Sequence, residues 1–181
     1  MIQSNLINRL RKGEEPAFKE LVLATSSRLM TVARVYADSA EDAQDVLQDA
    51  YVICFEKVAT FSGEEPKAFY AWMKKITINL ALYKNRKKYK KVETSLDAVG
   101  IDRAFDAQIL SSLNRKELME LIFSLPDGYR QVFALFAIEG FSHKEIADRL
   151  GIKASTSRSQ FLRAKKVLQE KIKQLEKFDV A

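Results

Sequence analysis

The segment between Ser155 and Lys166 is rich in side chains that can hydrogen-bond to nucleic acid. Arg can pair bidentately with guanine, Gln can pair with adenine, and hydroxyl groups can bind bases or phosphates. Ser155 or Thr156 is expected to cap a helix here, and a helix with a polar, basic face fits the major groove of DNA. The residues that we expect to contact DNA are Ser155, Thr156, Ser157, Arg158, Gln160, Arg163 and Lys166.

The residues before this segment predict a second, shorter helix. Ser142 can accept the first free amide hydrogens of that helix, and Glu145 can reach back to the amide of Ser142, which is a capping box. Ile146 and Leu150 share its inner face, and Gly151 can end it in the left-handed conformation. We interpret the pair of helices as a helix-turn-helix. The alternative is a helical hairpin whose basic face is merely solvated.

A second basic segment lies in the first half of the chain. A helix with Trp72 on its apolar side runs into residues 84–91, where six of eight residues are Lys or Arg. Such a block, beside exposed aromatic rings, suits phosphate neutralisation and stacking on unpaired bases. The alternative is a solvated helix end whose cations favour the helix dipole.

Before both basic segments the sequence carries a row of acidic residues. Asp38, Asp42, Asp45 and Asp49 recur at steps of three and four residues, so they lie in one row on a helix. Like charges at this spacing mildly destabilise a helix unless something offsets them. Either a basic partner does so, or the row is a solvated acidic face.

Composition limits the classes of function. The 181 residues are 47% hydrophobic and carry a net charge of +6, so the position of the charges is more informative than their sum. No apolar run is long enough to cross a membrane, and residues 1–11 lack a signal-peptide core. We therefore expect a soluble, cytoplasmic protein.

Catalytic and metal-binding groups are sparse. The single cysteine, Cys54, and the single histidine, His143, supply neither a disulfide nor a set of zinc ligands. Cys54 is expected to be a small buried hydrophobe, and His143 a surface or phosphate-facing group. No nucleophile lies with a base and an orienting acid, and no glycine-rich phosphate loop is present. We predict no enzymatic activity and no cofactor.

The fold class follows from periodicity and punctuation. Six glycines and three prolines are few for this length, and strand-like alternation is absent, so an all-α fold is predicted. We expect two helical domains at 1–91 and 113–177, joined by a flexible linker at 92–112, with the second a four-helix helix-turn-helix domain. Within the first domain, a helix beginning at Pro16 is expected to turn Phe18, Leu21, Val22, Leu29, Val32, Ala33 and Tyr36 inward.

Two separated groups of motifs resemble the extracytoplasmic-function class of bacterial sigma factors. Residues 42–49 resemble the acidic helix with which that family binds core RNA polymerase. Residues 71–79, which hold Ala-Trp-Met and an Asn, and the basic run at 84–91 together resemble the helix that follows the acidic helix in that family. Residues 125–133, which hold Leu-Pro and Arg-Gln-Val-Phe, and residues 142–166 resemble its promoter-reading domain. The likeness follows the chain order over nearly the whole length.

The resemblance implies a protein that associates with core RNA polymerase and directs it to particular promoters. It implies docking of the acidic helix on a coiled coil of the largest polymerase subunits through Asp42, Asp45, Gln48 and Asp49. The last helix would read the minus-thirty-five element. The loop at 61–66 and the helix after it would open and read the minus-ten element, one of whose bases is typically flipped into a protein pocket. The minus-ten residues would be Phe61, Ser62, Gly63, Trp72, Lys75 and Asn79, with Arg86, Lys87 and Lys88 on phosphates.

Two positions depart from the family's pattern. Residues 51–55 replace a stretch that in many members carries a Trp near its end. Ser157 stands where many members place Val, so it either faces DNA or simply packs less well.

The resemblance implies core polymerase and promoter DNA as partners, with an anti-sigma factor as a further candidate. We expect a monomer that does not insert into a membrane. Two other functions stay open, a helix-turn-helix regulator that acts without polymerase and a helical RNA-binding adaptor that uses residues 84–91. The regulator would account for residues 142–166 but not for the acidic row.

Overall fold

The computed structural model describes Ile2, residues 4–89 and residues 114–178. All regular structure in these residues is helical, and the chain divides into two compact units near Asn85. The predicted fold class, all-α with two helical domains, is confirmed. The predicted linker at 92–112 and the start of the second domain at 113 lie outside the described residues, so the domain boundaries stay a prediction.

The first unit is built on four helices and one short 3-10 turn. They are α1 (Ser4–Arg11), α2 (Glu15–Tyr36), α3 (Ala40–Lys57), the 3-10 turn (Val58–Thr60) and α4 (Pro66–Tyr89), whose last turn passes the division. Proline lies in the first turn of α2 and of α4, where its missing amide hydrogen costs nothing. Both starts agree with the sequence.

The core of this unit gathers one apolar side from each helix. Its buried members include Leu6 and Leu10 of α1, Leu21 of α2, Cys54 of α3 and Phe69 of α4. Full burial of a Leu or Phe stabilises the fold by about 1.5–3 kcal/mol relative to exposure. The inward orientation predicted for Val22 is wrong, because this side chain keeps 37% of its surface exposed while its neighbour Leu21 is fully buried.

A buried hydrogen bond ties the end of α4 to the end of α2. The side-chain amide of Asn85 donates to the Tyr36 carbonyl at 2.6 Å, and both residues are almost fully buried. Since a buried amide without a partner is costly, this bond fixes where α4 lies in the core. The bond thereby sets which side of α4 faces the core and which side faces solvent just before the basic run at 84–91.

The second unit contains the helix-turn-helix. Its elements are α5 (Arg115–Phe123), α6 (Asp127–Phe133), a π-helical segment (Ala134–Ile138), α7 (His143–Leu150) and α8 (Ala154–Phe178). In the π-helical segment the Glu139 amide donates to the Ala134 carbonyl at 3.0 Å, five residues back. The unit packs around buried residues such as Leu135, Ile146 and Ala164.

The local signals that predicted α7 are confirmed. Ser142 and Glu145 form both bonds of the capping box, and Gly151 ends the helix with φ +70°. The prediction that Ser155 or Thr156 caps α8 is wrong. The helix begins at Ala154, so Ser155 and Thr156 lie inside its first turn.

Candidate polymerase-binding and DNA-binding surfaces

The acidic helix α3 shows most of its predicted residues to solvent. Asp45, Gln48 and Asp49 are exposed, whereas Val46, Leu47 and Ala50 between them are buried. This division into two faces comes from the three- and four-residue spacing read in the sequence. The exposed face can therefore present carboxylates to a basic partner.

Asp42 has a second task at the start of α3. Its amide donates to the Ser39 hydroxyl oxygen at 3.0 Å, and the same hydroxyl donates to the Asp42 carboxylate at 2.8 Å. Ser39 is thus the N-cap, and the carboxylate favours the positive end of the helix dipole. Asp42 is half-buried, so less of it is available to a partner than of Asp45.

Asp49 is paired within the molecule. Lys84 of α4 approaches its carboxylate at 2.8 Å, with side-chain exposures of 35% for Lys84 and 51% for Asp49. Such a solvated pair contributes only about 0–1 kcal/mol of stability, so a partner can replace it at little cost. The pair connects the predicted polymerase-binding helix to the predicted DNA-binding helix, a contact that local sequence patterns do not predict.

The loop between the 3-10 turn and α4 is held against an aromatic cluster. The ring of Phe61 lies edge-on to Phe69, with centroids 5.1 Å apart, and 5.4 Å from the Trp72 ring. Gly63 crosses directly above Phe61, since a Cβ at position 63 would lie 2.7 Å from the Phe61 Cζ atom. Any larger residue at position 63 would force the Phe61 ring to shift out of its present position. Phe61, Gly63 and Trp72 are partly exposed, and Ser62 is exposed.

The structure brings the minus-ten residues of α4 onto one side of the helix. Trp72, Lys75 and Asn79 are spaced by three and four residues, and the last two are exposed. Tyr83, one turn further, keeps 68% of its surface exposed and extends this side. Arg86, Lys87 and Lys88 lie in α4, but their side chains are outside the described part of the structure.

The helix α8 exposes only some of its predicted DNA-binding residues. Ser155, Arg158 and Lys166 are exposed and share one side of the helix. Ser159 and Leu162 are half-exposed on the same side, although the sequence set did not include them. The sequence alone could have identified these two residues, because helical spacing places positions 155, 158, 159, 162 and 166 on one side of the helix.

Three other members of the predicted set face the protein. Ser157 is fully buried, and its hydroxyl lies 3.0 Å from Nδ1 of His143. The Oε1 atom of Gln160 is buried, and its side-chain amide lies beside Gly128. Arg163 is half-buried and donates to the Tyr129 hydroxyl at 3.3 Å. We therefore remove Ser157 from the DNA-binding set, because it cannot reach a groove from the interior, and we assign packing contacts to Gln160 and Arg163. Thr156 is half-exposed.

His143 is half-exposed, and the part of its ring that faces the protein packs against aromatic side chains. Its ring stacks on Phe136 with centroids 4.4 Å apart and lies edge-on to Phe161. Burial lowers the pKa of His143 below its ordinary value, and the positive charge of Arg158 lowers it further. The histidine is therefore a neutral packing group between α7 and α8.

Cys54 is buried in the core of the first unit, as predicted. Burial raises the pKa of its thiol to about 12. Because the thiolate is the reactive form, this side chain is chemically inert in the folded unit.

Among the helices that the structure describes, none is both long and apolar enough to cross a bilayer.

Models of two protein regions match the chain in the order of its two units. Sigma-70 region 2 matches residues 21–91, and Sigma-70 region 4 matches residues 115–168. The first match contains the acidic helix and the aromatic cluster, and the second contains the helix-turn-helix. Helix α1 precedes both matched ranges.

Relatives of known identity align over almost the whole chain. The ECF RNA polymerase sigma-E factor of Escherichia coli K12 is 26% identical, with 94% of each chain covered. That of Haemophilus influenzae is 27% identical, with 94% of this chain and 95% of the relative covered.

Two solved structures are also similar to this chain. CnrH in complex with the cytosolic domain of CnrY is 24% identical, covering 94% of this chain and 97% of CnrH, with a TM-score of 0.49. The sigma factor RpoE of Bartonella quintana, in complex with the anti-sigma factor NepR, is 25% identical, covering 86% of this chain and 96% of RpoE, with a TM-score of 0.45.

Proposed function

Because this chain belongs to the extracytoplasmic-function class of the sigma-70 family, and so directs core RNA polymerase to promoters, we propose which of its surfaces meets each partner. The exposed side of α3 binds polymerase, the loop at 61–66 with α4 reads the minus-ten element, and α8 reads the minus-thirty-five element. The observation that carries this division is the opposite charge of α3 and of the outward sides of α4 and α8.

The polymerase contact rests on the exposed carboxylates of α3. Asp45 and Asp49 with Gln48 offer charge and hydrogen-bond acceptors on one side of a helix whose other side is packed in the core. Charge complementarity at such a surface speeds encounter and selects the partner. Asp42 contributes less, since its carboxylate also serves the helix start.

The minus-ten contact rests on the aromatic cluster and the polar side of α4. A base that leaves the duplex needs a pocket that stacks on it and hydrogen-bonds to its edge. Phe61 and Trp72 supply rings, Ser62 and Asn79 supply hydrogen-bonding groups, and Lys75 supplies a cation for phosphate. Arg86, Lys87 and Lys88 would extend the phosphate contact along the same helix.

The minus-thirty-five contact rests on the outward side of α8. Arg158 can pair with a guanine, Ser155 and Ser159 can bind bases or phosphates, and the apolar Leu162 can contact a thymine methyl group. Lys166, further along, suits a phosphate.

The domains at 1–91 and 113–177 would then serve the two promoter elements, with 92–112 as the connection between them. The chain contributes binding and not catalysis, since RNA synthesis is the chemistry of the polymerase. It works in the cytoplasm, where polymerase and DNA are. An anti-sigma factor is a further partner to test, as the resemblance to the extracytoplasmic-function class implies.

Charge reversal of Asp45 tests the polymerase surface directly. Asp45→Lys places a cation against a basic partner, and we expect it to abolish co-purification with core polymerase, because like charges in an interface cost several kcal/mol. Glu56→Lys is the matched control, since Glu56 is an exposed acid on the same helix outside the proposed set. Co-purification of the Asp45 variant at the level of the control would overturn the assignment.

A further inference from the structure

We propose that Arg11 of α1 is a positioning residue for promoter opening, because it holds the loop at 61–66 in the shape that receives the extruded minus-ten base. This inference rests on the minus-ten role proposed for the loop. It assigns a function to a helix that lies outside both matched family regions.

The contact spans fifty residues of sequence. The Nη2 atom of Arg11 donates to the Phe61 carbonyl at 2.7 Å and also to the Gly63 carbonyl. The other terminal nitrogen, Nη1, donates to the Asn8 side-chain oxygen at 3.0 Å, which fixes the guanidinium from the side of its own helix. A charged donor shared by two carbonyls forms stronger hydrogen bonds than a neutral one.

The two carbonyls are the ones that decide the shape of the loop. Phe61 begins the aromatic cluster, and Gly63 crosses above its ring. By binding the residues on both sides of Ser62, Arg11 makes Ser62 the exposed tip of the loop. A loop residue has few buried contacts of its own, so such anchors determine how well it is ordered.

The base-receiving groups therefore depend on α1 although α1 does not touch DNA in this scheme. Phe61 and Trp72 stay in contact only while the loop lies over α4, at their present centroid distance of 5.4 Å. Without Arg11 the loop carbonyls would exchange this donor for water. A pocket that is not held in advance discriminates poorly, because binding must then supply the ordering.

The free protein offers a direct test, since Trp72 is the only tryptophan in the chain. In Arg11→Ala we expect Trp72 emission to shift to longer wavelength and acrylamide quenching to become faster, because the Phe61 ring leaves it. Arg9→Ala is the matched control. Arg9 lies on the same helix and forms ion pairs with Glu14 and Glu20 at 3.0 and 2.8 Å, but it does not contact the loop.

The holoenzyme test measures base preference. Transcript starts are first mapped with wild-type protein and core polymerase on fragmented genomic DNA, and one promoter is then changed base by base. A wrong base in an element that is read costs roughly 5- to 150-fold. For Arg11→Ala we expect the penalties in the minus-ten element to shrink to about twofold and those in the minus-thirty-five element to stay unchanged.

Three outcomes separate the possibilities. If Arg11→Ala keeps the minus-ten penalties while Trp72→Ala removes them, the positioning role is refuted and the proposed function stands. If Trp72→Ala also leaves them intact, the minus-ten assignment itself fails. If Arg11→Ala weakens both elements equally and lowers the melting temperature, Arg11 merely stabilises the fold, and the proposal is overturned.

Discussion

The two helices proposed to contact DNA, α4 and α8, use their polar residues differently. In α4 the predicted residues Trp72, Lys75 and Asn79 are spaced by three and four, and all of them keep some exposure on one side. In α8 the predicted residues are nearly consecutive, so they point in several directions, and part of the set packs against α6 and α7. Residue type alone therefore does not tell whether a polar side chain in a helix can contact DNA; its position in the helical spacing is needed as well.

The largest expected effect separates Arg158 from Arg163. Arg158→Ala should weaken binding of the holoenzyme to a minus-thirty-five duplex by about 1–3 kcal/mol if Arg158 pairs with a base. Arg163→Ala should change it by about twofold or less, because Arg163 is bonded to Tyr129 inside the unit. Competition binding with single-base variants of the duplex measures both.

The salt dependence tells how Arg158 acts. If it binds phosphate, binding of Arg158→Ala weakens evenly across sequences and the slope of log affinity against log salt falls by roughly one. Equal losses for Arg158→Ala and Arg163→Ala would break the comparison, since both would then face DNA.

A smaller effect is expected from two serines of α8. Ser157→Ala removes the hydroxyl partner of His143 and should lower the unfolding free energy of the second unit by about 1 kcal/mol, with DNA affinity unchanged. Ser155 is exposed, so Ser155→Ala should lower the DNA affinity and leave the unfolding free energy of the second unit unchanged. Hydrogen exchange of the α7 and α8 amides reports the stability, and the duplex assay reports the affinity. A loss of affinity in Ser157→Ala without loss of protection would return Ser157 to the DNA face.

The smallest expected effect is a dependence on pH. The pKa of His143 is lowered in the folded unit, chiefly by burial and then by Arg158, so the unfolded chain takes up its proton first. The second unit should be most stable above the ordinary pKa of 6.5 and lose stability as the pH falls below it. Its acidic neighbour Glu145 has a pKa lowered from 4.5 by hydrogen bonds to Ser142, so that group acts only at lower pH.

Hydrogen exchange of α7 at pH 7.5 and 5.5 measures this loss, and His143→Gln should remove it. If the protection of the wild-type unit rises on acidification, the neutral packing role of His143 is wrong.

Local signals made much of this fold predictable. The capping box of Ser142 and Glu145 and the left-handed Gly151 lie within ten residues of one another, and they predicted α7. The spacing of the α3 aspartates predicted an exposed acidic side in the same way. Information of this kind is contained in one or two turns of helix, so no tertiary structure is needed to use it.

What could not be predicted depends on contacts between distant residues. Ser157 is buried beside His143, whose ring packs with Phe136 and Phe161, and no property of α8 alone shows that. Arg11 reaches a loop fifty residues away, and nothing about its own helix, in which it looks like a surface cation, predicts the contact. The burial of Ser157 and the contacts of Arg11 are thus set by the elements that pack against them and not by their own residue types.

The contact between Asp49 and Lys84 has a consequence for how this sigma factor is dissected by mutation. Each residue offsets the charge of the other, so removing either one alters the electrostatic potential at both the proposed polymerase-binding surface and the proposed DNA-binding surface. A defect in Lys84→Ala therefore cannot be credited to DNA alone, nor one in Asp49→Ala to polymerase alone. The surfaces proposed for polymerase and for promoter DNA therefore feel the same two charges. Only replacement of both residues together distinguishes the effect on polymerase binding from the effect on DNA binding.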